Sequence, residues 1–239
     1  MAPRAVLFDK DGTLIDFFAM WVPAYEEAAQ RVVERMERPE LLDAILRSGG
    51  YDPTTKQVTP GSVLASGTNQ EVVDAWAAAA GDAWDDALGA VVHETFHAHA
   101  LRPPKPTADL FAVFSALRER GVAVGVATMD AHASAEAALT QLGVRALVDV
   151  VLGSDDVQHP KPAPDMVLDF ARAVKVDPAE VVMVGDSPID LMMGRAAGVA
   201  ATVGVLTGPS GHADLAPHAD HVVASVAAFT EGAFFWQTT

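Results

Sequence analysis

Six short apolar runs constrain the fold of this chain more than any other feature. They are Ala5 to Phe8, Val122 to Ala127, Leu147 to Leu152, Val181 to Val184, Ala200 to Val205 and a shorter one at His221 to Val223. An exposed strand alternates apolar and polar residues. A run with little alternation is a strand buried on both faces, as in a parallel sheet. Helical patterns lie between the runs. Asp109 to Arg120 sets Leu110, Phe111, Phe114 and Leu117 along one stripe, and Ala131 to Leu142 ends at Gly143, a good C-cap. Ala163 to Val174 follows, then Pro188 to Ala197, closed by Gly198. Strand and helix alternate from about residue 107 onward. That order predicts an α/β fold with a doubly wound parallel sheet.

The first run stands apart from the others. Between it and residue 103 the pattern is helical only: about Phe18 to Glu37, Pro39 to Ser48, Asn69 to Ala79 and Trp84 to Ala100. The stretch Gly49 to Gly67 is rich in Gly, Pro, Ser and Thr and reads as loop. The expected organisation is a discontinuous α/β core, residues 1–15 and 103–239, with an all-α domain inserted at 16–102. Hinges are expected near Leu14 to Phe17 and Arg102 to Pro106.

Composition narrows the function. With 239 residues, 50% hydrophobic and 20% charged, the chain can bury a sizeable core. Sixteen basic side chains face 32 acidic ones, for a formal charge of -16. Such a surface repels phosphate backbones and anionic lipid, so no nucleic-acid or membrane partner is expected. A small anionic ligand would need a local positive pocket or a bound cation. There are no cysteines, which removes disulfides, thiol catalysis and Cys-based zinc sites. No stretch reaches the ~18 apolar residues of a membrane span. The first apolar run is stopped by Asp9 before it could serve as a signal-peptide core. The reading is a cytoplasmic protein, monomer or homodimer.

Four segments carry chemistry. Asp9-Lys10-Asp11-Gly12-Thr13-Leu14 closes the first strand. Side chains two apart in a strand share a direction, so Asp9 and Asp11 can face one site while Lys10 points elsewhere. Val184-Gly185-Asp186-Ser187-Pro188-Ile189-Asp190 ends another strand and opens a helix. Ser187 suits the N-cap and Pro188 the first helical position. Asp190 then falls at N3, where it can simply complete a capping box. His159-Pro160-Lys161-Pro162-Ala163-Pro164-Asp165 holds a lysine between prolines, which predicts a stiff, extended segment. A lone lysine is usually a solvated charge, but one fixed this way can contact phosphate. Ala127-Thr128-Met129-Asp130 ends the second core strand, where a hydroxyl and free backbone N–H groups can hold phosphate oxygens.

These segments, in this order, resemble the haloacid-dehalogenase-like superfamily, closest to its phosphoglycolate phosphatase and β-phosphoglucomutase branch. The likeness covers about residues 4 to 15 and 104 to 208. The inserted helices match that family's α-helical cap in position and type. The resemblance implies Asp9 as nucleophile and Asp11 as general acid and base. It implies Mg2+ held by the Asp9 carboxylate, the Asp11 backbone carbonyl and Asp186, with Asp190 supporting the metal shell. Thr128, Met129 through its backbone N–H, and Lys161 would bind the phosphoryl group. The implied activity is magnesium-dependent hydrolysis of a small phosphorylated metabolite, with 2-phosphoglycolate or a sugar phosphate as candidates. A phosphomutase of the β-phosphoglucomutase type and a non-catalytic phospho-ligand binding module are the alternatives. Asp11 counts against a dehalogenase, which needs no proton donor for its leaving group.

Two positions depart from the family pattern. Lys10 replaces an apolar or aromatic residue and, facing away, is expected to matter little. Met129 stands where many relatives carry Asn. In the inserted lobe, Phe17, Phe18, Met20 and Trp21 read as core ahead of substrate lining. His93 and His97 have metal-ligand spacing beside Glu94 but no second acid-and-histidine context. Lys56 and Arg47 are the cations considered for a substrate carboxylate.

Overall fold

The computed structural model describes residues 3–230. It divides into two compact units, Met1–Phe17 with Pro103–Thr239, and Phe18–Arg102.

The strands, in chain order, are β1 (Ala5–Phe8), β2 (Tyr51–Asp52), β3 (Gln57–Val58), β4 (Ala123–Ala127), β5 (Val150–Leu152), β6 (Val181–Gly185), β7 (Ala201–Val205) and β8 (His221–Val223). Six of them form one sheet in the order β5-β4-β1-β6-β7-β8, and every pairing is parallel. This is the doubly wound α/β core expected from the apolar runs. All four residues of β1 are fully buried, as a central strand covered on both faces requires. Side chains alternate between those faces. Ala5 and Leu7 join Met166, Val167 and Phe170 of helix Asp165–Val174 and Met193 of helix Pro188–Ala197. Phe8 meets the rings of Phe114 and Phe229, each with centroids 5.5 Å away.

Several boundaries moved for local reasons. β5 begins at Val150 because Arg145–Leu147 forms a 3-10 turn, where the Arg145 guanidinium donates to the Val148 carbonyl. Helix Asp165–Val174 starts two residues later than expected, since Ala163 precedes a proline and is biased away from the helical region. In helix Leu110–Glu119 the buried stripe is Leu110, Val113, Phe114 and Leu117, while Phe111 is 62% exposed. The i, i+3, i+4, i+7 spacing selects Val113 and leaves Phe111 off the face.

The second unit is helical, with main helices Phe17–Arg35, Leu42–Ser48, Asn69–Ala80 and Asp86–Ala100. Asp85 starts the last by accepting the N–H groups of Ala87 and Leu88. The stretch read as loop carries the β2–β3 hairpin and a short helix, Val63–Ser66. Trp21, Tyr25, Trp76 and Phe96 pack ring to ring in this unit. Among the described residues, no helix is long and apolar enough to cross a membrane.

Phe170 is the largest side chain on its face of the sheet, and it is fully buried. Phe170→Ala is expected to lower unfolding free energy by about 3–5 kcal/mol through lost burial and a residual cavity. Urea denaturation followed by circular dichroism checks this, and a loss below about 1 kcal/mol would show that the face repacks.

Candidate active site

Strand register brings the site together. Phe8 pairs with Val126 on one side and Val184 on the other. The residues just beyond these three strands therefore emerge side by side at the carboxyl edge, at the switch in strand order where such sheets bind ligands. Asp9 follows β1, and its N–H donates to the Val184 carbonyl at 2.8 Å. Thr128 follows β4, and Asp186 follows β6. Lys161 arrives from the loop after β5. There the chain makes a turn, closed by the Ala163 N–H to the Pro160 carbonyl at 3.0 Å, with a cis Lys161–Pro162 peptide. This turn replaces the extended segment that the prolines suggested.

The Lys161 ammonium is buried between two carboxylates. It donates to Asp9 Oδ1 at 2.6 Å and to Asp190 Oδ1 at 2.7 Å. Asp190 Oδ2 accepts the Ser187 N–H at 3.1 Å, completing a capping box on helix Pro188–Ala197. Asp190 is thus both the helix cap and a partner of the buried lysine, one oxygen for each task. Asp9 Oδ2, in contrast, is buried with no hydrogen-bond partner.

Electrostatics follow from this crowding. Burial pushes the Asp9 carboxyl up, Lys161 pulls it down, Asp190 and Asp11 repel it, and it settles at about 6. Burial pushes Asp186 up too, and repulsion from Asp9 and Asp190 adds to that. Burial alone would lower Lys161, but Asp190 and Asp9 outweigh it and hold the ammonium above the ordinary lysine value.

Two glycines make room for Asp186. A Cβ on Gly12, whose φ is 85°, would lie 2.4 Å from Asp186 Oδ2, and one on Gly208 would lie 1.7 Å away. Thr13 donates its hydroxyl to Asp186 Oδ1 at 3.3 Å. One oxygen each from Asp9, Asp186 and Asp190 lies within 4.8 Å of the others, the single such group among the described residues. The donor set is all hard oxygen, so the group fits a cation such as Mg2+.

Asp11 stands outside that group. The chain turns at once after Asp9, with the Leu14 and Ile15 N–H groups both donating to the Lys10 carbonyl. Strand alternation therefore no longer holds at Lys10. Instead of pointing away, its side chain is 4% exposed and its ammonium sits 2.5 Å from Asp11 Oδ2 and 2.9 Å from Asp130 Oδ2. Asp11 Oδ1 is buried without a hydrogen-bond partner. At the end of β4, the Thr128 N–H donates to the Leu152 carbonyl and the Asp130 N–H to Thr128 Oγ1. Two of the N–H groups expected to be free there are thus already used. Met129 is half-buried beside them.

Thr13, Gly208 and Asp130 received no role from the sequence. Thr13 and Asp130 lay inside segments already singled out. Gly208 had no local signal, because its contact with Asp186 depends on how the loop after β7 folds back. The histidines His93 and His97 are exposed and join no metal-binding group. Phe17 and Trp21 are buried, while Phe18 is 41% exposed. Arg47 is engaged by Asp43 and Asp52, and Lys56 is exposed.

Comparison with known proteins shows the family. The haloacid dehalogenase-like hydrolase family profile matches residues 3–198, and the chain belongs to that family. A phosphoglycolate phosphatase of Rhodospirillum rubrum is 29% identical over 209 residues, covering 84% of this chain and 79% of that protein. The validoxylamine A 7'-phosphate phosphatase of Streptomyces hygroscopicus subsp. limoneus is 29% identical over 200 residues, covering 82% and 83%. The crystal structure of a HAD family hydrolase from Deinococcus radiodurans, with bound phosphate and sodium, aligns over all of both chains at a TM-score of 0.69 and 22% identity.

The raised Asp9 pKa has a stability consequence in cation-free buffer. Between its ordinary value of 3.8 and about 6, the folded chain holds a proton that the unfolded chain has lost. Asp9 thus favours folding most at acid pH, and its contribution declines as pH rises through about 6. Asp9→Asn removes this dependence. Its stability relative to wild type is expected to improve by about 2 kcal/mol between about pH 4 and about pH 7. Denaturant unfolding at both pH values tests this, and a constant difference would contradict it.

Proposed function

We propose that this chain is a magnesium-dependent phosphatase that hydrolyses a small phosphate monoester through a phospho-aspartate formed on Asp9. One observation carries the reading. Asp9 is buried with one oxygen fixed by Lys161 and the other without a hydrogen-bond partner. A nucleophile needs such restraint, since misaligned attack loses most of the advantage of proximity.

Formal charge supports the metal. Three ionised carboxylates and one ammonium leave Asp9, Asp186, Asp190 and Lys161 at minus two, a charge that a single dication balances. Asp9, Asp186 and Asp190 would hold Mg2+ with the Asp11 backbone carbonyl. When bound, it supplies the positive charge that lets a carboxylate approach a phosphate dianion.

The chain's own groups do the rest. Asp9 Oδ2 attacks phosphorus, forming the acyl phosphate as the bond to the leaving oxygen breaks. Asp11 gives that oxygen a proton and later takes one from the water that attacks the phospho-enzyme. Lys161 spends two of its three N–H donors on Asp9 and Asp190, leaving one for a phosphoryl oxygen. The Thr128 hydroxyl and the Met129 N–H complete that cradle. Relatives of equal identity carry names for different esters, a phosphoglycolate and a validoxylamine phosphate. That supports the class, a small phosphate monoester, ahead of any one compound.

Phosphate release from a panel of monoesters, with magnesium and with chelator, tests the proposal. Asp9→Asn is expected to reduce turnover on the order of 10³-fold or more while retaining the wild-type circular dichroism spectrum. Asp186→Asn is expected to raise the magnesium concentration needed for half-maximal rate. Turnover that survives chelation, or an active Asp9→Asn variant, would reject the mechanism.

A further inference from the structure

We propose that Lys10 is a positioning residue for Asp11, bridging it to Asp130 so that one Asp11 oxygen is kept for proton transfer to the leaving group. This rests on the phosphatase reading above and adds a residue to it. Among lysines, a fully buried ammonium is rare and needs compensating partners. Lys10 has two, Asp11 Oδ2 at 2.5 Å and Asp130 Oδ2 at 2.9 Å. Only one oxygen of Asp11 takes part, and Oδ1 stays buried and unpaired.

The arrangement divides the work of the carboxyl. Oδ2 accepts from the ammonium, which fixes the side-chain rotation. Oδ1 is left to carry the proton. In the first half-reaction the Oδ1 proton passes to the leaving oxygen as its bond to phosphorus breaks. In the second, Oδ1 takes a proton from water as the water oxygen bonds to phosphorus and the bond from phosphorus to the Asp9 oxygen breaks, which frees the Asp9 carboxylate and inorganic phosphate. Lys10 keeps its own protons throughout. Asp130 anchors the ammonium from the loop after β4, so the segment carrying Thr128 and Met129 is tied to the Asp11 turn through one cation.

The bland alternative is that this bridge only staples two loops. Leaving groups separate the two. Phenyl phosphate and p-nitrophenyl phosphate have nearly the same shape. Phenolate is a strong base with a conjugate-acid pKa of about 10 and needs a proton as it departs, whereas the nitro-substituted phenolate is stable without one. The experiment measures kcat/KM for both esters with magnesium, on wild type, Lys10→Met, Lys10→Arg, Asp130→Asn and Asp9→Asn. In Lys10→Met the phenyl ester is expected to lose about 10- to 100-fold and the nitrophenyl ester less than about threefold. Lys10→Arg should restore part of the lost ratio, because a guanidinium can pair with both carboxylates. Asp130→Asn should shift the ratio the same way by a smaller factor. If Lys10→Met does not fold, Lys10→Arg and Asp130→Asn decide the question by the same ratio. Equal losses on both esters, or no loss, would overturn the positioning role. Failure of the phosphatase reading looks different: wild type turns over neither ester, or Asp9→Asn stays active, and the positioning role falls with it.

Discussion

The Lys161 ammonium, buried between Asp9 and Asp190, is the interaction on which the site depends. Without it, three buried carboxylates would face one another at the edge of the sheet. Charges in such a place either find partners or give up their ionisation. Removing one member of a buried pair commonly costs about 3–5 kcal/mol, because the other is left uncompensated. The pairing also sets geometry. It holds Asp9 from one side and leaves the opposite oxygen bare. It draws the loop after β5 onto the end of β1, although these strands are separated in the sheet by β4.

That loop can reach because of how the sheet is wound. β1 lies between β4 and β6, and register places Asp9 level with the ends of both neighbours. The chain builds outward on one side through β4 and β5, then crosses to build the other through β6, β7 and β8. Connections therefore leave in opposite directions at β1, opening a crevice there. The acids of two strand ends and the lysine of a third connection converge without any one segment carrying them all. Helix Pro188–Ala197 adds its N-terminus, and Asp190 serves its cap while holding the lysine.

What could be read from the residues alone depended on whether the interaction was local. β1, β6 and the helices closed by Gly143 and Gly198 were legible because burial on both faces and helix caps leave their mark within a few residues. The acid segments were legible for the same reason. Lys10 was misread because the strand period was extended two residues beyond the strand, into a turn whose hydrogen bonds redirect the side chain. Phe111 was misread because one apolar residue beside a stripe looks like part of it until packing selects its neighbour. Gly208 and Asp130 act through contacts with residues far away in sequence. Their roles follow from strand order, which no short segment encodes.

Two buried lysines in a chain with a formal charge of -16 are too few to neutralise the site's acids, and their placement is informative. Lys161 takes Asp9 and Asp190; Lys10 takes Asp11 and Asp130. Each ammonium bonds only one oxygen of the carboxylate to which the proposed reaction assigns a role. Asp9 keeps Oδ2 and Asp11 keeps Oδ1, and both atoms are buried and unpaired. A buried polar atom without a partner is unfavourable for folding. Among the described residues two such side-chain atoms lie on the two acids that the proposed reaction would use, and the others are Ser62 Oγ and Trp76 Nε1. On the proposed reading, a cation and a substrate would complete the site. In the proposed reaction the lysines would therefore do more than offset charge: the ion pairs hold one oxygen of each acid and leave the other uncommitted.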